Sequence, residues 1–573
     1  MMEEIPLVFL SNESQQEILR LLERYPLPLI DKHGTPMTFS YGTAGFRYDA
    51  TLLEGIMVRV GLLAAYRSYS LQQHVGVMVT ASHNDESYNG AKIADPNGGM
   101  MAQDGEELAV QLANCHDPHH VWAMLGSTTS TNACTVHVGR DTRSHSPALA
   151  QLTIRAAQAM GATVLVHGVI TTPQLHHAVL HANAHHLPPL IPVRSGIVGY
   201  YGLLTHSYVG LCRTGPPPSQ PRTMVVDCAC GVGYAHVQRL SQELIHLGAT
   251  TRLIPKNSPD EGPLNAGCGS EHVQKGICPP TWYGGDTEKV EYACSVDGDV
   301  DRIVFFTERS NSGFSLLDGD KIAVLLCDFL QDQVTALQTA TSSLPPLKLG
   351  VVQTAYANGA STMYLQSKLG MDAVKFAKTG VKFVHHEALH SFDVGVYFEA
   401  NGHGTVLFGN AFYDFMAQAD KVLRGHISLQ RLKLLPSLIN QSVGDALSDM
   451  LLVDAILQLK QWDIFTWDAL YHDMPSRQCK VYVHDRTMIQ TNDTETRCLV
   501  PERLQQALDD VVATIPGGRA FVRPSGTENV VRVYAEATTS HDADWLATQA
   551  ARLVHDICDG TQIEPPSFPS SKM

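Results

Sequence analysis

Asp297, Asp299 and Asp301 alternate with Gly298 and Val300 directly after the strand-like run Val290 to Val296, and Arg302 follows them. In extended backbone, residues two apart face the same way, so this spacing predicts three carboxylates converging on one point. Carboxylates held that close repel and raise one another's proton affinity unless a cation joins them. All-oxygen donors suit a hard ion, and Mg²⁺, which works beside phosphate and keeps waters in its shell, is the expected metal. Two other readings compete with it. An isolated alternation of aspartates also suits a solvated surface turn. A calcium loop of the EF-hand type would use Glu308 at its twelfth position, but Arg302 stands where that loop needs glycine, and Ile303 to Phe306 continues as a strand.

Three further segments carry chemistry. Thr80-Ala81-Ser82-His83-Asn84 follows a short buried strand, Gly76 to Thr80, which sets Ser82 where open α/β sheets bind ligands. Ser82 is a candidate nucleophile with His83 as helper, although an ordinary polar turn has the same composition. Lys92 lies ten residues further on, past Asn89-Gly90, so a loop folding back could bring its ammonium near the serine. Beside a metal and Arg47, its pKa is expected to fall far enough for it to exchange a proton with a hydroxyl. Glu399, Asn401 and His403 alternate between Ala400, Gly402 and Gly404, offering bidentate partners for vicinal hydroxyls, or forming a polar bulge. Arg523-Pro524-Ser525-Gly526-Thr527-Glu528-Asn529, with Arg532 three residues later, has the arginine, hydroxyls and glycine-linked amides of a phosphate nest.

The elements around these motifs alternate strand and helix. A leading helix, Ser14 to Tyr25, precedes the glycine-bearing loop Tyr41 to Arg47; strands follow at Thr135 to Val138 and Thr163 to Val166, flanking a helix from Pro147 to Met160. Gly215 to Pro221 reads as a connector before a strand at Thr223 to Val226, and Lys321 to Phe329 as a helix before a strand at Leu349 to Val352. A helical stretch from roughly Leu429 to Leu459 leads to strands Gln478 to Val483 and Asn529 to Ala537, which flank a helix near Pro501 to Thr514. The expected architecture is α/β: three similar domains with mixed or largely parallel sheets over 1–205, 206–315 and 316–455, and a smaller C-terminal α+β domain over 456–573 around a central cleft.

Composition narrows the partners. The chain has 573 residues, 41 Lys plus Arg against 57 Asp plus Glu, and a formal net charge of −16, so nucleic acid is not an expected partner. Anionic ligands must be held by local arginines, lysines and backbone amides. No apolar stretch reaches membrane-spanning length, and Glu3 and Glu4 stand where a secretory signal carries positive charge, so a soluble intracellular protein is expected. The twelve cysteines read as reduced thiols; Cys228 and Cys230 lack zinc spacing. His119-His120 and His185-His186 read as loop residues rather than metal ligands. Ser571-Lys572-Met573 is similar to a peroxisomal address, which leaves a microbody open beside the cytosol.

The serine loop, the metal loop, the sugar loop and the phosphate loop, in that order from about Tyr41 to Ala537, resemble the α-D-phosphohexomutase family. Gln353-Thr354-Ala355-Tyr356-Ala357-Asn358-Gly359, Lys378-Thr379-Gly380-Val381-Lys382 and Tyr397 to Thr405 look like its N-acetylglucosamine-phosphate branch, and other branches tend to carry serine where Asn401 stands. The chain departs from the family pattern at Asp85, Tyr88 and Asn529. The resemblance implies a four-domain isomerase that interconverts N-acetylglucosamine 6-phosphate and 1-phosphate through a phosphorylated Ser82 and a sugar 1,6-bisphosphate, feeding UDP-N-acetylglucosamine synthesis. It implies Mg²⁺ on Ser82, Asp297, Asp299 and Asp301, with Lys92, His83, Arg47 and Arg302 serving catalysis. Thr379, Gly380, Glu399, Asn401 and His403 would bind the sugar, and Arg523, Ser525, Gly526, Thr527 and Arg532 the distal phosphate. A glucose or mannose phosphate mutase, a phosphatase and a non-catalytic sugar-phosphate sensor are the alternatives.

Overall fold

A computed structural model describes residues 12–30, 37–42, 45–125, 134–184, 196–218, 220–283, 292–309, 313–526 and 529–564. Thr527, the pair His185-His186 and the tail Ser571-Lys572-Met573 lie outside the described residues.

Four larger sheets organise the described residues, beside a two-stranded one that pairs Gln490–Thr491 with Cys498–Val500. The first runs Phe46–Asp49, Tyr88–Ala94, Val75–Val79, Thr135–Arg140, Thr163–Val169 in spatial order, and the second runs Gly313–Leu317, Ile303–Arg309, Tyr292–Val296, Arg222–Asp227, Thr251–Lys256. Both have two antiparallel pairings followed by two parallel ones. The third sheet, Val374–Phe376, Leu349–Gln353, Val394–Phe398, Gly404–Phe408, repeats the pattern with one antiparallel pairing. The fourth, Arg519–Pro524, Val530–Glu536, Ser476–Val483, Gly560–Ile563, is antiparallel throughout.

This repetition positions the motifs. The strands Val75–Val79, Tyr292–Val296 and Val394–Phe398 are equivalent: each is paired in parallel on one side and joined by a short loop to an antiparallel neighbour on the other. The serine, metal and sugar loops are those three connections. All three strands are buried at every position, as central strands covered on both faces must be.

Several expectations change. Lys92 does not sit on a folded-back loop but inside the strand Tyr88–Ala94. Asn89-Gly90 reads as a turn in the sequence, yet the glycine serves close packing: a Cβ there would lie 1.7 Å from the Phe46 carbonyl oxygen of the adjacent strand. The helical stretch from Leu429 to Leu459 is two helices, Ile427–Leu438 and Ala446–Lys460, the second capped by Asp445, whose carboxylate accepts from the N–H groups of Leu447 and Ser448. His119 and His120 lie exposed on the helix Pro118–Leu125 rather than on a loop.

The helices Gly196–Cys212 and Ala446–Lys460 run without a break through 205/206 and 455/456. Residues 200–211 and 446–457 share one hydrophobic core with the second and third sheets, whereas the first sheet and the fourth keep cores of their own. All twelve cysteines are free thiols, and among the described residues no helix is long and apolar enough to cross a membrane.

Candidate functional site

The aspartate motif converges, but not by strand alternation. Residues 297–301 form a turn, with Val300 N–H donating to Asp297 O at 3.2 Å and Val300 itself buried at φ 67°. The alternation fails because the strand ends at Val296; the turn does the gathering instead. One oxygen from each of Asp297, Asp299 and Asp301 lies within 4.8 Å of the others, and all three residues are buried. Among the described residues Oδ1 of Asp299 has no hydrogen-bond partner, and Oδ1 of Asp301 is approached only by His403 at 3.5 Å and Arg302 at 3.8 Å. A buried carboxylate oxygen without a partner, in an all-oxygen set, fits a hard divalent cation such as Mg²⁺.

Ser82 lies against this cluster, its Oγ donating to Asp297 Oδ2 at 2.6 Å. The serine is fully buried at φ 53°, a backbone region that non-glycine residues enter rarely and that marks functional turns. Its loop is held from outside. Arg143 Nη2 donates to the carbonyls of Ser82 at 3.2 Å and Asn84 at 2.7 Å, and Asn265 donates to the same two at 3.0 Å each. Asp141 fixes Arg143 through a buried ion pair and also accepts from Thr80 Oγ1 at 2.8 Å. Asp141 and Arg143 therefore brace the serine loop. Thr172, which donates to Asp299 Oδ2 at 2.5 Å, and Asn265 belong to no recognisable motif, and sequence reasoning missed both.

Lys92 Nζ donates to Asp299 Oδ2 and to Asp301 Oδ2, each at 2.6 Å. Burial disfavours its ammonium, but Asp299 and Asp301 outweigh that, so its pKa is raised rather than lowered as the sequence suggests. Burial, then Asp301 and Asp299, push Asp297 well above the usual carboxylate range. Burial acts in the same direction on Asp299 and Asp301. There Lys92 prevails, aided by Thr172 at Asp299 and by His403 at Asp301, and holds both below that range.

Arg47 Nη1 lies 3.0 Å from His83 Nε2, and Glu271 pairs with His83 Nδ1. Burial first, then Arg302, Arg47 and Lys275, lower the His83 pKa well below its ordinary value. Arg47 can only donate, so Nε2 is the accepting nitrogen, which leaves the ring proton on Nδ1, the side facing Glu271. Arg302 stands 3.8 Å from Asp301 and 4.0 Å from Asp297.

The sugar loop divides its three polar side chains. Glu399 accepts from Gly380 N–H at 3.2 Å and from Asn401 Nδ2 at 3.3 Å, whereas the buried His403 ring turns to Asp301 at 3.5 Å. Alternation is interrupted because Gly402, at φ 84°, completes a turn against the metal loop's strand, where a Cβ would meet Ile303 O at 1.8 Å. Asn401 Oδ1 accepts from His403 N–H at 3.0 Å and steadies that turn.

In the final sheet Arg523 pairs directly with Arg532, which pairs on its other side with Lys480. Like charges on facing strand positions are unfavourable unless an anion joins them. Among the described residues Nε of Arg532 is buried without a partner, while Nε of Arg523 donates to Tyr356 OH at 3.0 Å. Ser525 is buried beside them and Gly526 is exposed. Lys275 feels the same positive field, its pKa lowered by burial and by Arg302, Arg532 and Lys480.

The chain is similar to known proteins over nearly its whole length. Residues 318–462 match the pattern described as Phosphoacetylglucosamine mutase AMG1, domain III, and residues 49–118 and 118–187 match Phosphoglucomutase/phosphomannomutase, alpha/beta/alpha domain I. Residues 496–554 match the C-terminal domain of the same group. The phosphoacetylglucosamine mutase of Arabidopsis thaliana is 41% identical over 563 residues, covering 94% of this chain and 97% of that protein. The crystal structure of Aspergillus fumigatus N-acetylphosphoglucosamine mutase in complex with GlcNAc-6P and magnesium superposes with a TM-score of 0.85 at 36% identity, over 96% of this chain and 100% of that one. A variant of the same fungal enzyme in complex with glucose 1,6-bisphosphate gives a TM-score of 0.84 at 37% identity, over 96% and 99% of the two chains. With this identity spread over nearly its whole length, the chain belongs to the phosphoacetylglucosamine mutase family, within the phosphohexomutases.

Proposed function

We propose that this protein is an isomerase that interconverts N-acetylglucosamine 6-phosphate and N-acetylglucosamine 1-phosphate through a phosphorylated Ser82 and a sugar 1,6-bisphosphate. The observation that carries the reading is the Ser82 hydroxyl bonded to Asp297 inside a buried three-carboxylate cluster. Asp297, Asp299, Asp301 and the phosphoryl oxygen on Ser82 would hold Mg²⁺, which supplies charge neutralisation during phosphoryl transfer.

The sugar hydroxyl attacks phosphorus, the bond from phosphorus to Ser82 Oγ breaks, and the hydroxyl's proton ends on Ser82 Oγ, so atoms and charge balance. Lys92, with His83 and Arg47, manages that proton, and Arg302 steadies the transferring group. Arg523, Ser525, Gly526, Thr527 and Arg532 hold the distal phosphate; the facing arginines and the unpartnered Arg532 Nε support this. Thr379, Gly380, Glu399 and Asn401 read the sugar, and His403 acts from behind through Asp301. The bisphosphate then turns over in the cleft and returns its other phosphate to Ser82. The product feeds UDP-N-acetylglucosamine synthesis.

In this reading each of the four sheets brings one loop of the site, and the four domains are 1–205, 206–315, 316–455 and 456–573, with the helices Gly196–Cys212 and Ala446–Lys460 spanning the first and last of their junctions. The enzyme works in the cytosol, or in a microbody if Ser571-Lys572-Met573 is read as an address. Relatives named for the acetylated sugar leave glucose or mannose phosphate as the less favoured substrate. A phosphorus NMR time course with N-acetylglucosamine 6-phosphate, Mg²⁺ and a trace of sugar 1,6-bisphosphate tests the proposal. Growth of the 1-phosphate resonance supports it, and release of free phosphate alone makes the protein a phosphatase.

A further inference from the structure

Glu495 belongs to no motif of the chain, yet it joins two parts of the proposed site. It stands on the turn 492–497 of the fourth-sheet region at φ 55°, left-handed backbone that non-glycine residues seldom adopt. The turn is built to hold it there. Asn492 Oδ1 accepts from Thr496 N–H at 2.9 Å and Arg497 N–H at 3.1 Å, and Glu495 N–H donates to Asn492 O at 3.0 Å. Glu495 is 5% exposed, and its carboxylate reaches out of its own region. Oε2 accepts from Thr379 N–H at 3.0 Å, and Oε1 lies 3.6 Å from Arg523 Nη1. Thr379 Oγ1 is buried without a partner among the described residues, and the next amide, Gly380 N–H, donates to Glu399.

Building on the mutase reading, we infer that Glu495 is a positioning residue that latches the region carrying the phosphate loop onto the sugar loop. A buried carboxylate is costly unless bonded, and its two partners sit on separate regions, Thr379 beside the sugar loop and Arg523 on the phosphate loop. Both are within reach only when those loops are together, so the carboxylate stabilises that arrangement over an opened one. It also orients Arg523: with Nε on Tyr356 and Nη1 toward Glu495, Nη2 has no partner among the described residues and can turn to the substrate phosphate. A bisphosphate that must turn over without escaping needs such a closure.

The test measures hydrogen exchange at the Thr379 amide, and the sugar 1,6-bisphosphate concentration giving half-maximal rate, in wild type, E495Q and E495A. Loss of a charged acceptor should speed Thr379 exchange about tenfold in E495A and raise the bisphosphate requirement about tenfold as the intermediate escapes. E495Q keeps an acceptor for Thr379 N–H but sets an amide against Arg523, so it should fall between; it carries the test if E495A does not fold. Unchanged exchange in E495A, or a wild-type bisphosphate requirement in both variants, overturns the latch. A lowered melting temperature with that requirement unchanged reduces Glu495 to a structural residue and overturns it too. If the wild type makes no 1-phosphate the mutase reading fails, and the exchange at Thr379 still decides whether the contact latches the two regions.

Discussion

The Ser82 hydroxyl donates to Asp297 Oδ2 at 2.6 Å, joining residues 215 positions apart in the chain. Each lies on the loop after the equivalent strand of its own sheet, so the contact depends on how two similarly built sheets meet. Gly298 sets the approach, since a Cβ there would lie 2.9 Å from the Ser82 carbonyl oxygen.

If Ser82 carries the phosphoryl group, Ser82→Ala should lower mutase turnover by more than about 10⁴-fold, the scale seen when a nucleophile is removed. Labelled bisphosphate should leave no label on the variant. Turnover above a trace, measured by phosphorus NMR on a folded variant, sinks the mechanism.

Lys92 balances two carboxylates that would otherwise face each other in a buried site. Lys92→Met should therefore destabilise the metal-free protein by on the order of 3 kcal/mol, the cost of stranding buried charge. Added Mg²⁺ should recover much of that loss, and chelation should restore it. Thermal melts with and without chelator check this, and equal melting of variant and wild type under chelation would refute it.

Much of this site is legible in the amino-acid order because serine, aspartates and glycine-flanked polar residues cluster within single loops. Contact across sheets is not. Nothing in the local sequence marks Thr172, Asn265 or Glu495, whose partners lie 127, 183 and 116 residues away. Lys92 stands out as a site residue, but the Asn89-Gly90 pair suggests a loop where there is a strand, because Gly90 serves close packing rather than a turn. The sign of its pKa shift also depends on two carboxylates, rather than the arginine, being its nearest neighbours. Strand alternation predicts the convergence of the aspartates for the wrong reason, since a turn produces it.

Arg143 braces the carbonyls of Ser82 and Asn84 without being placed to touch substrate. Arg143→Lys keeps the charge but loses the planar fork. It should lower kcat by about 10²-fold, the scale of a 1 Å misplacement, with a smaller change in KM. A KM effect larger than the kcat effect would place Arg143 in binding instead.

Asn401 bridges the Glu399 carboxylate and the His403 backbone. Shortening it in Asn401→Ser removes the amide donor and should relax sugar selection. The ratio of kcat/KM for N-acetylglucosamine 6-phosphate over glucose 6-phosphate should fall by about tenfold. An unchanged ratio would assign selection to other residues.

Asp318 caps the helix Gly319–Ala340, accepting from Asp320 N–H and Lys321 N–H, and burial together with Asp473 pushes its pKa up to about 7. An unfolded carboxyl titrates near its ordinary value of 3.8, so the folded state holds the proton more tightly. That proton favours folding fully below the ordinary value, and the advantage is lost as pH rises toward about 7. Asp318→Asn keeps an oxygen for both backbone bonds and does not titrate. Its melting temperature relative to wild type should therefore rise between about pH 5 and pH 8. Asp320 and Asp473 are raised by burial as well and add to the same wild-type slope, so the variant should flatten the slope without abolishing it. A difference that is constant with pH, or larger at the acid end, would show that Asp318 is ionised throughout and that the carboxylate, rather than its protonated form, is what caps the helix.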